Sequence, residues 1–246
     1  FEALQEFANL KQIQFERSTT PIFKKEEWVF FIGWQFLVRK PTDRTIVIHD
    51  SLLPRYRGFA PTATALINGE HEIGVTAFLP SEAVDGGPVL GQRKIAISYP
   101  LKIKAALDLQ IDLTASLIAE LVQMIDGNSL TAVAQDESAA TYSLWRDEED
   151  YYVDWKRSAV EICRTIDALG DPFSGARTRL NGDTIIIDDA QTIPDLRFER
   201  RDIGKIWSLE ADGPVVVCGT GCLQITAARD MAGNALVFEK LRSRLT

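Results

Sequence analysis

Histidine is scarce in this chain: His49 and His71 are the only two among 246 residues, beside three cysteines and two methionines. Three cysteines, Cys163, Cys218 and Cys222, do not make a disulfide framework. Cys218 and Cys222 bound the stretch C-G-T-G-C. No further Cys or His cluster is there to complete a ligand set, so it reads as a strand, a Gly-rich turn and the next strand, and no metal is expected. No run approaches the ~18 apolar residues of a membrane span, and no signal-peptide pattern is visible. The expected location is the cytoplasm, with no membrane partner. Lys and Arg number 27 against 35 Asp and Glu, a formal net charge of −8. Phosphate contact is driven by Lys and Arg, so this balance weighs against nucleic-acid binding. The chain starts at Phe1 without a methionine, and a missing or trimmed N-terminus is expected.

What is there suffices for a sizeable core. Hydrophobic residues make up 46% and charged residues 25%, an ordinary globular balance. The length suits one large domain or two small ones. "FEALQEFANL" has helical spacing and "KQIQFE" is a short strand candidate. "EEWVFFIGWQFLV" and "RTIVIHDS" are apolar runs that fit strands buried on both faces, as in a parallel sheet. Residues 61–70 read as a helix with Pro61 in its first turn and Gly69 at its end. "EIGVTAFLP" and "GPVLGQRKIAI" are further strands around the loop "PSEAVDGG". A long helical period runs over 101–127 and stops at Gly127.

Residues 128–150 are polar and mixed, a linker by composition. A helix follows, with apolar residues at 159, 160, 162, 163, 166 and 169. From Pro172 the pattern is β, with a hairpin signal at Asn181-Gly182. These shifts divide the chain into a first, α/β domain over 1–127, a linker over 128–150 and, over 151–246, a helix with a small β-barrel or OB-like module. Trp28 and Trp34 are expected in the core or a pocket wall. Trp155 is expected to anchor the linker onto the first domain, and Trp207 to pack on the barrel.

In open α/β sheets the functional groups gather at the carboxyl ends of strands. His49 ends "TIVIH", Gln35 follows "WVFFIGW" and Asp85 lies in the loop after "GVTAFLP". The expectation is that they meet at one sheet edge, with Asp85 orienting the imidazole and keeping it basic. A lone His after a buried strand is also often a satisfied loop residue, and pattern alone favours that blander reading.

"HDSLLPRYRG", followed by "NGE", "GVT" and "VDGG", with an Asp thirty-six residues after the His, resembles the N10-formyltetrahydrofolate-dependent formyltransferases. That family includes methionyl-tRNA formyltransferase, the sugar N-formyltransferases and the more distant glycinamide ribonucleotide formyltransferase. "ATYSLWRDEEDYYVDWKRSAVEI" and "DPFSGARTRLNG" extend the resemblance into the linker and the β-rich C-terminal domain. It implies a Rossmann-like α/β sheet, entered here near its third strand so that the N-terminal unit is expected to be missing, followed by the OB-like domain. It implies His49 and Asp85 as catalytic residues. It implies Gln35, Leu37, Val38, Pro80, Val84 and Asp85 as contacts to N10-formyltetrahydrofolate. It implies Ser51, Leu52, Leu53, Pro54, Arg57 and Gly58 as the loop that shapes the approach of the reacting amine.

The chemistry suits these residue types. An amine attacks the formyl carbon, negative charge develops on oxygen, and a donor aimed at that oxygen lowers the barrier. Shedding the amine proton needs a base or an ordered water. One departure stands out: the family usually has Asn two residues before the His, and this chain has Val47. Asn68 and Ser51 are the substitutes the sequence offers. The favoured acceptor is the amino group of a nucleotide-linked 4-amino sugar. Methionyl-tRNA is the alternative, and a non-catalytic folate-binding relative the third. A homodimer is left open.

Overall fold

The computed structural model describes residues 27–34 and 41–246, together with Gln5, Asn9, Leu10, Gln12 and Lys24. The expected helix over 1–10, the strand over 11–16 and the contacts Gln35, Leu37 and Val38 fall, wholly or in the main, outside these residues. Strand β1 covers Val29–Ile32 and β2 Thr45–His49. The two are parallel, with Ile32 beside Ile48. β1 is shorter than the apolar run predicts because Gly33 takes φ +61°, outside the β region. Trp34, expected in the core or a pocket wall, is 41% exposed and packs edge-on against Phe31 at 5.2 Å.

After β2 the loop 50–60, which contains the two-residue strand β3 (Arg57–Gly58), leads into helix α1 (Pro61–Asn68). Gly69, at φ +77°, ends α1 and caps it with its N–H. Strands β4 (Glu72–Phe78) and β5 (Val89–Ala96) follow, and the sheet order is β1-β2-β4-β5. An all-parallel sheet is not what forms. Both β2–β4 and β4–β5 are antiparallel, because the loop and α1 return the chain to the His49 edge, where β4 begins. Helix α2 (Ile103–Asp126) lies across one face. Its Leu117 and Leu121 close over Ile46, Ile48, Val75 and Ala77. Alternation along β2 therefore commits Ile46 and Ile48 to the core and leaves Thr45, Val47 and His49 on the other face.

The stretch 128–150 is laid along the first sheet. Val133 and Val89 exchange backbone hydrogen bonds of 2.8 and 2.7 Å. The short strand β6 (Tyr142–Ser143) pairs in parallel with β3. Helix α3 (Ala159–Leu169) then opens the second half. Ser158 Oγ accepts from the Glu161 N–H, and Glu161 Oε2 accepts from the Ser158 N–H at 3.0 Å, a complete capping box. Ser158→Ala is expected to lower stability by about 1 kcal/mol. In a chain of this size that is a fall in Tm of about 2–4 °C, readable by calorimetry.

The second sheet is antiparallel, in the order β7-β8-β11-β10-β9. Its strands are β7 (Ala176–Leu180), β8 (Asp183–Ile193), β9 (Ile206–Glu210), β10 (Gly213–Val217) and β11 (Cys222–Asp230). The predicted hairpin turn forms, with Asn181 and Gly182 both at positive φ. The C-terminal residues close the sheet. Thr246 pairs with Arg179 beside β7, while Leu245 and Ser243 pair with Gly204 and Ile206 beside β9. Closure removes the two open edges and makes the small barrel that the sequence predicts. Trp155, Ile162, Ile166, Ile187, Val216 and Leu223 fill it under α3. Trp155 does not anchor onto the first domain: it packs in the barrel core, 5% exposed, where its indole N–H donates to Thr178 Oγ1 at 2.9 Å, whereas Trp207 is 54% exposed and makes a T-shaped contact with Phe198 at 5.4 Å.

The C-G-T-G-C stretch is the β10–β11 turn, with Val217 opposite Cys222. Cys163, Cys218 and Cys222 are free thiols. Burial pushes the Cys163 and Cys218 thiols up to about 12. Thiolate is the reactive form, so neither is expected to react with a thiol reagent at pH 8 until the chain unfolds, which spectrophotometric titration would show. Among the described residues no helix is long and apolar enough to cross a membrane.

The two halves are joined by α1, α2 and α3. Ala63, Leu66, Ile103 and Ala168 form one apolar cluster between them. Lys102 reaches from the start of α2 to Asp167 at 2.7 Å and Asp189 at 2.8 Å.

Candidate active site

His49 is the last residue of β2, on the face turned away from α2. Its Nε2 lies 2.8 Å from the Tyr56 carbonyl oxygen. A carbonyl can only accept, so Nε2 carries the hydrogen and Nδ1 is the nitrogen left to act. Nδ1 points to Asp85, with Oδ2 at 3.6 Å. The ring is 10% exposed and the carboxylate 20%.

Asp85 arrives by a different route from the one the sequence suggests. Phe78, the end of β4, stands beside Val47, so the chain leaves β4 running away from His49. The loop 79–88 then turns back and is closed by the Leu79 N–H bonding to the Pro88 carbonyl at 3.0 Å. The return requires Gly87: a Cβ there would lie 1.7 Å from the Leu79 carbonyl oxygen. Asp85 itself sits at φ +48°. Its Oδ2 accepts the Gly58 N–H at 2.7 Å. Among the described residues no hydrogen bond engages Oδ1. Gly58, at φ +100°, passes so close to Ser143 that a Cβ would meet its carbonyl oxygen at 2.5 Å. Gly58 is therefore glycine for close packing, and its amide orients the carboxylate.

The loop between His49 and Gly58 is held from beneath. Thr76 Oγ1 donates to the Ser51 carbonyl at 2.6 Å and accepts the Leu53 N–H at 3.1 Å. Gln92 donates to the Leu53 carbonyl, and Gln110 donates to those of Asp50 and Gly74. Asp50 is buried enough beside the ring that its carboxyl is pushed above the ordinary value, against the pull of His49. These interactions fix the loop on which Tyr56 presents its carbonyl to the imidazole.

The predicted loop residues take several stations. Ser51 Oγ donates to the Arg55 carbonyl at 2.7 Å, so its proton is spent inside the loop. Asn68 donates to the Tyr56 hydroxyl at 3.2 Å. Leu53 is buried, Leu52 packs onto Gly74, and Pro54 accepts the Thr141 N–H. The side chain of Arg57 turns inward: it is 1% exposed and donates to Gln135 and Glu137. A guanidinium can be buried there because those partners take its donors. Pro80 is half-buried and Val84 is 44% exposed on the returning loop. Gln135 and Glu137 carry no sequence signal, because they lie in a stretch that composition marks as linker. Among the described residues no group of three or more His, Cys, Asp or Glu is placed to hold a metal.

The formyl transferase family model matches residues 27–106, and the model of the family's C-terminal domain matches residues 146–243. Methionyl-tRNA formyltransferase of Nitrosomonas eutropha is 33% identical over 201 residues, covering 81% of this chain and 62% of that protein. The Geobacter metallireducens enzyme of the same name is 34% identical over 191 residues, 78% of this chain and 60% of its own. Among solved structures, the sugar 3N-formyl transferase WlaRD, in the presence of dTDP and 5-N-formyl-THF, aligns with TM-score 0.69 at 18% identity, covering 93% of this chain and 81% of that one. HypX from Aquifex aeolicus in complex with tetrahydrofolic acid aligns with TM-score 0.60 at 21% identity, over 84% of this chain and 36% of that one. Matched in both of its parts, the chain belongs to the formyl transferase family. It spans about three fifths of the length of the curated relatives it matches.

Proposed function

We propose that this chain transfers a formyl group from N10-formyltetrahydrofolate to a primary amine. The carrying observation is the His49–Asp85 pair, in which the Tyr56 carbonyl fixes Nε2–H and turns Nδ1 toward a carboxylate 3.6 Å away. Protonated at Nδ1, His49 is the donor that meets negative charge developing on the formyl oxygen. Asp85 divides its work between two oxygens. Oδ2 is anchored on the Gly58 N–H and supports the imidazolium, while Oδ1 takes the proton that the attacking amine sheds and returns it to N10 as the formyl carbon–N10 bond breaks and tetrahydrofolate leaves.

The chain's residues suit the donor molecule. β1 and β2 are parallel, so Gly33 and Trp34 leave the same edge at which His49 sits. Trp34 and Val84 are both exposed apolar groups beside that edge, suited to the face of a pterin ring. Gln35, Leu37, Val38 and Pro80 complete the proposed contacts. The bound molecule would supply the activated formyl carbon.

The acceptor read first is a nucleotide-linked amino sugar. In the second half Arg201 pairs with Asp195 and Arg229 with Asp188, while Arg200, Lys205 and Arg244 share the single carboxylate of Asp202. The formal net charge of −8 and the two one-to-one pairs support the sugar reading over a polyphosphate backbone, which is gripped through unpaired cations. The second reading, methionyl-tRNA, is favoured by the names of the 33–34% identical relatives. The test is formyl transfer to a panel of dTDP- and UDP-linked amino sugars and to methionyl-tRNA, read by product mass. Turnover on the sugars alone supports the first reading. Turnover on tRNA alone, weakening steeply with salt, supports the second. No transfer to any acceptor, with folate still bound, would leave the non-catalytic reading.

A further inference from the structure

Asp85 is not held by its own loop alone. The Gln135 side-chain amide donates to two carbonyls of that loop, Asp85 O and Gly87 O, each at 2.7 Å. Its Oε1 accepts from Arg57 Nη2 at 2.8 Å and Nε at 3.2 Å. Arg57 is fixed in turn by Glu137, at 2.9 and 2.7 Å. All of Gln135's polar capacity is thereby directed at one end to the carboxylate's backbone and at the other to the residue preceding Gly58, whose N–H binds the carboxylate.

The segment carrying Gln135 is stitched at both ends. Val133 pairs with Val89 on one side. On the other, Arg57 N–H and Phe59 N–H donate to Thr141 O at 2.8 Å and Ser143 O at 3.0 Å. The same segment touches Tyr56, whose N–H donates to Thr141 Oγ1 at 2.9 Å. It thus grips both supports of the pair: the residue whose carbonyl orients His49 and the loop that delivers Asp85. Asp85 occupies the left-handed region, which aspartate tolerates better than most non-glycine residues, and the two bonds from Gln135 hold the loop in that turn.

We propose that Gln135, braced by Arg57, is a positioning residue that holds the Asp85 carboxylate against the Gly58 amide and the His49 ring. The proposal rests on the formyl-transfer reading for its kinetic consequence, though not for its geometric one. Gln135 itself lies outside the sheet that bears His49, in a segment that reads as a connector.

The experiment compares wild type, Gln135→Ala, Gln135→Glu, Asp85→Asn and the double variant Gln135→Ala/Asp85→Asn in the full chain. Gln135→Glu keeps the acceptor toward Arg57 and loses both donors, so it guards against a variant that merely packs badly. The geometric readout is the Gly58 amide in ¹H–¹⁵N NMR, with its exchange protection. Both Gln135 variants should move this signal away from wild type while Tm stays within about 4 °C. The kinetic readout is formyl transfer. Both Gln135 variants should lower kcat about 10–100-fold with KM changed less than about threefold, and Gln135→Ala should add almost nothing in the Asp85→Asn background. An unmoved Gly58 amide in both variants overturns the proposal whether or not the chain turns over. Full additivity with Asp85→Asn also overturns it, since a residue acting elsewhere would still subtract. A wild type without turnover would sink the formyl-transfer reading and leave the amide signal to decide.

Discussion

Asp85→Asn is expected to lower kcat for formyl transfer by about 10²–10⁴-fold while leaving KM for the donor within a few-fold. The substitution keeps the shape of the side chain and an oxygen able to accept the Gly58 N–H, so the loop should hold its course. It removes the charge facing His49 Nδ1 and the base at Oδ1. The imidazolium then loses its counter-charge at the moment the formyl oxygen becomes negative, and the amine loses its proton acceptor. His49→Asn should fall by a similar factor, because it removes the donor from the same place. The double variant should be little worse than either single one, as for groups that work as a unit. Steady-state assays of the four proteins decide it. Activity within about threefold of wild type in Asp85→Asn would show that another group takes the amine's proton.

Val47→Asn is expected to raise kcat by about 10–100-fold, a gain where nearly every other substitution predicts a loss. Alternation along β2 places position 47 on the face of His49, between Phe31 of β1 and Phe78 of β4. Val47 is half-buried and brings no donor. An amide there would project its NH₂ group from the same face, one pleat below the imidazole. A single preorganised donor to a developing oxyanion is worth about 10²–10³ in rate, and part of that should appear on addition. The substitutes that the sequence offers are engaged elsewhere, Ser51 with the Arg55 carbonyl and Asn68 with the Tyr56 hydroxyl. An unchanged kcat in a folded Val47→Asn protein would mean that a donor already serves the oxygen.

Much of the frame was legible because it depends on local rules. Period-3.6 spacing marks α2 and α3, and Asn181-Gly182 marks a turn that only positive φ can make. The meeting of His49 with Asp85 followed from a resemblance carried by a spacing of residue types. Strand direction was not legible. Nothing in "EIGVTAFLP" says that β4 runs against β2, because burial on both faces makes parallel and antiparallel strands look alike. The inward turn of Arg57 and the place of Gln135 were not legible for a related reason. A polar side chain in a polar stretch reads as solvated, and only the fold shows that Arg57 is sealed under residues 135–137. The sequence predicts a barrel but not which residues close it, since residues 243–246 pair with β7 and β9 only after both exist.

The bridge from Lys102 to Asp167 has a bearing on chimeric proteins. Asp167 is 5% exposed, and burial raises its carboxyl above the ordinary value even with the lysine's ammonium drawing it down. The second half thus harbours an anion whose counter-charge is encoded in the first. A graft that joins residues 151–246 to another relative's sheet inherits the aspartate and leaves its cation behind. Unless the recipient carries a lysine or arginine where α2 begins, the hybrid must either protonate Asp167 or expose it. The natural crossover point for recombining such chains therefore lies before residue 102, not in the stretch that composition marks as a linker.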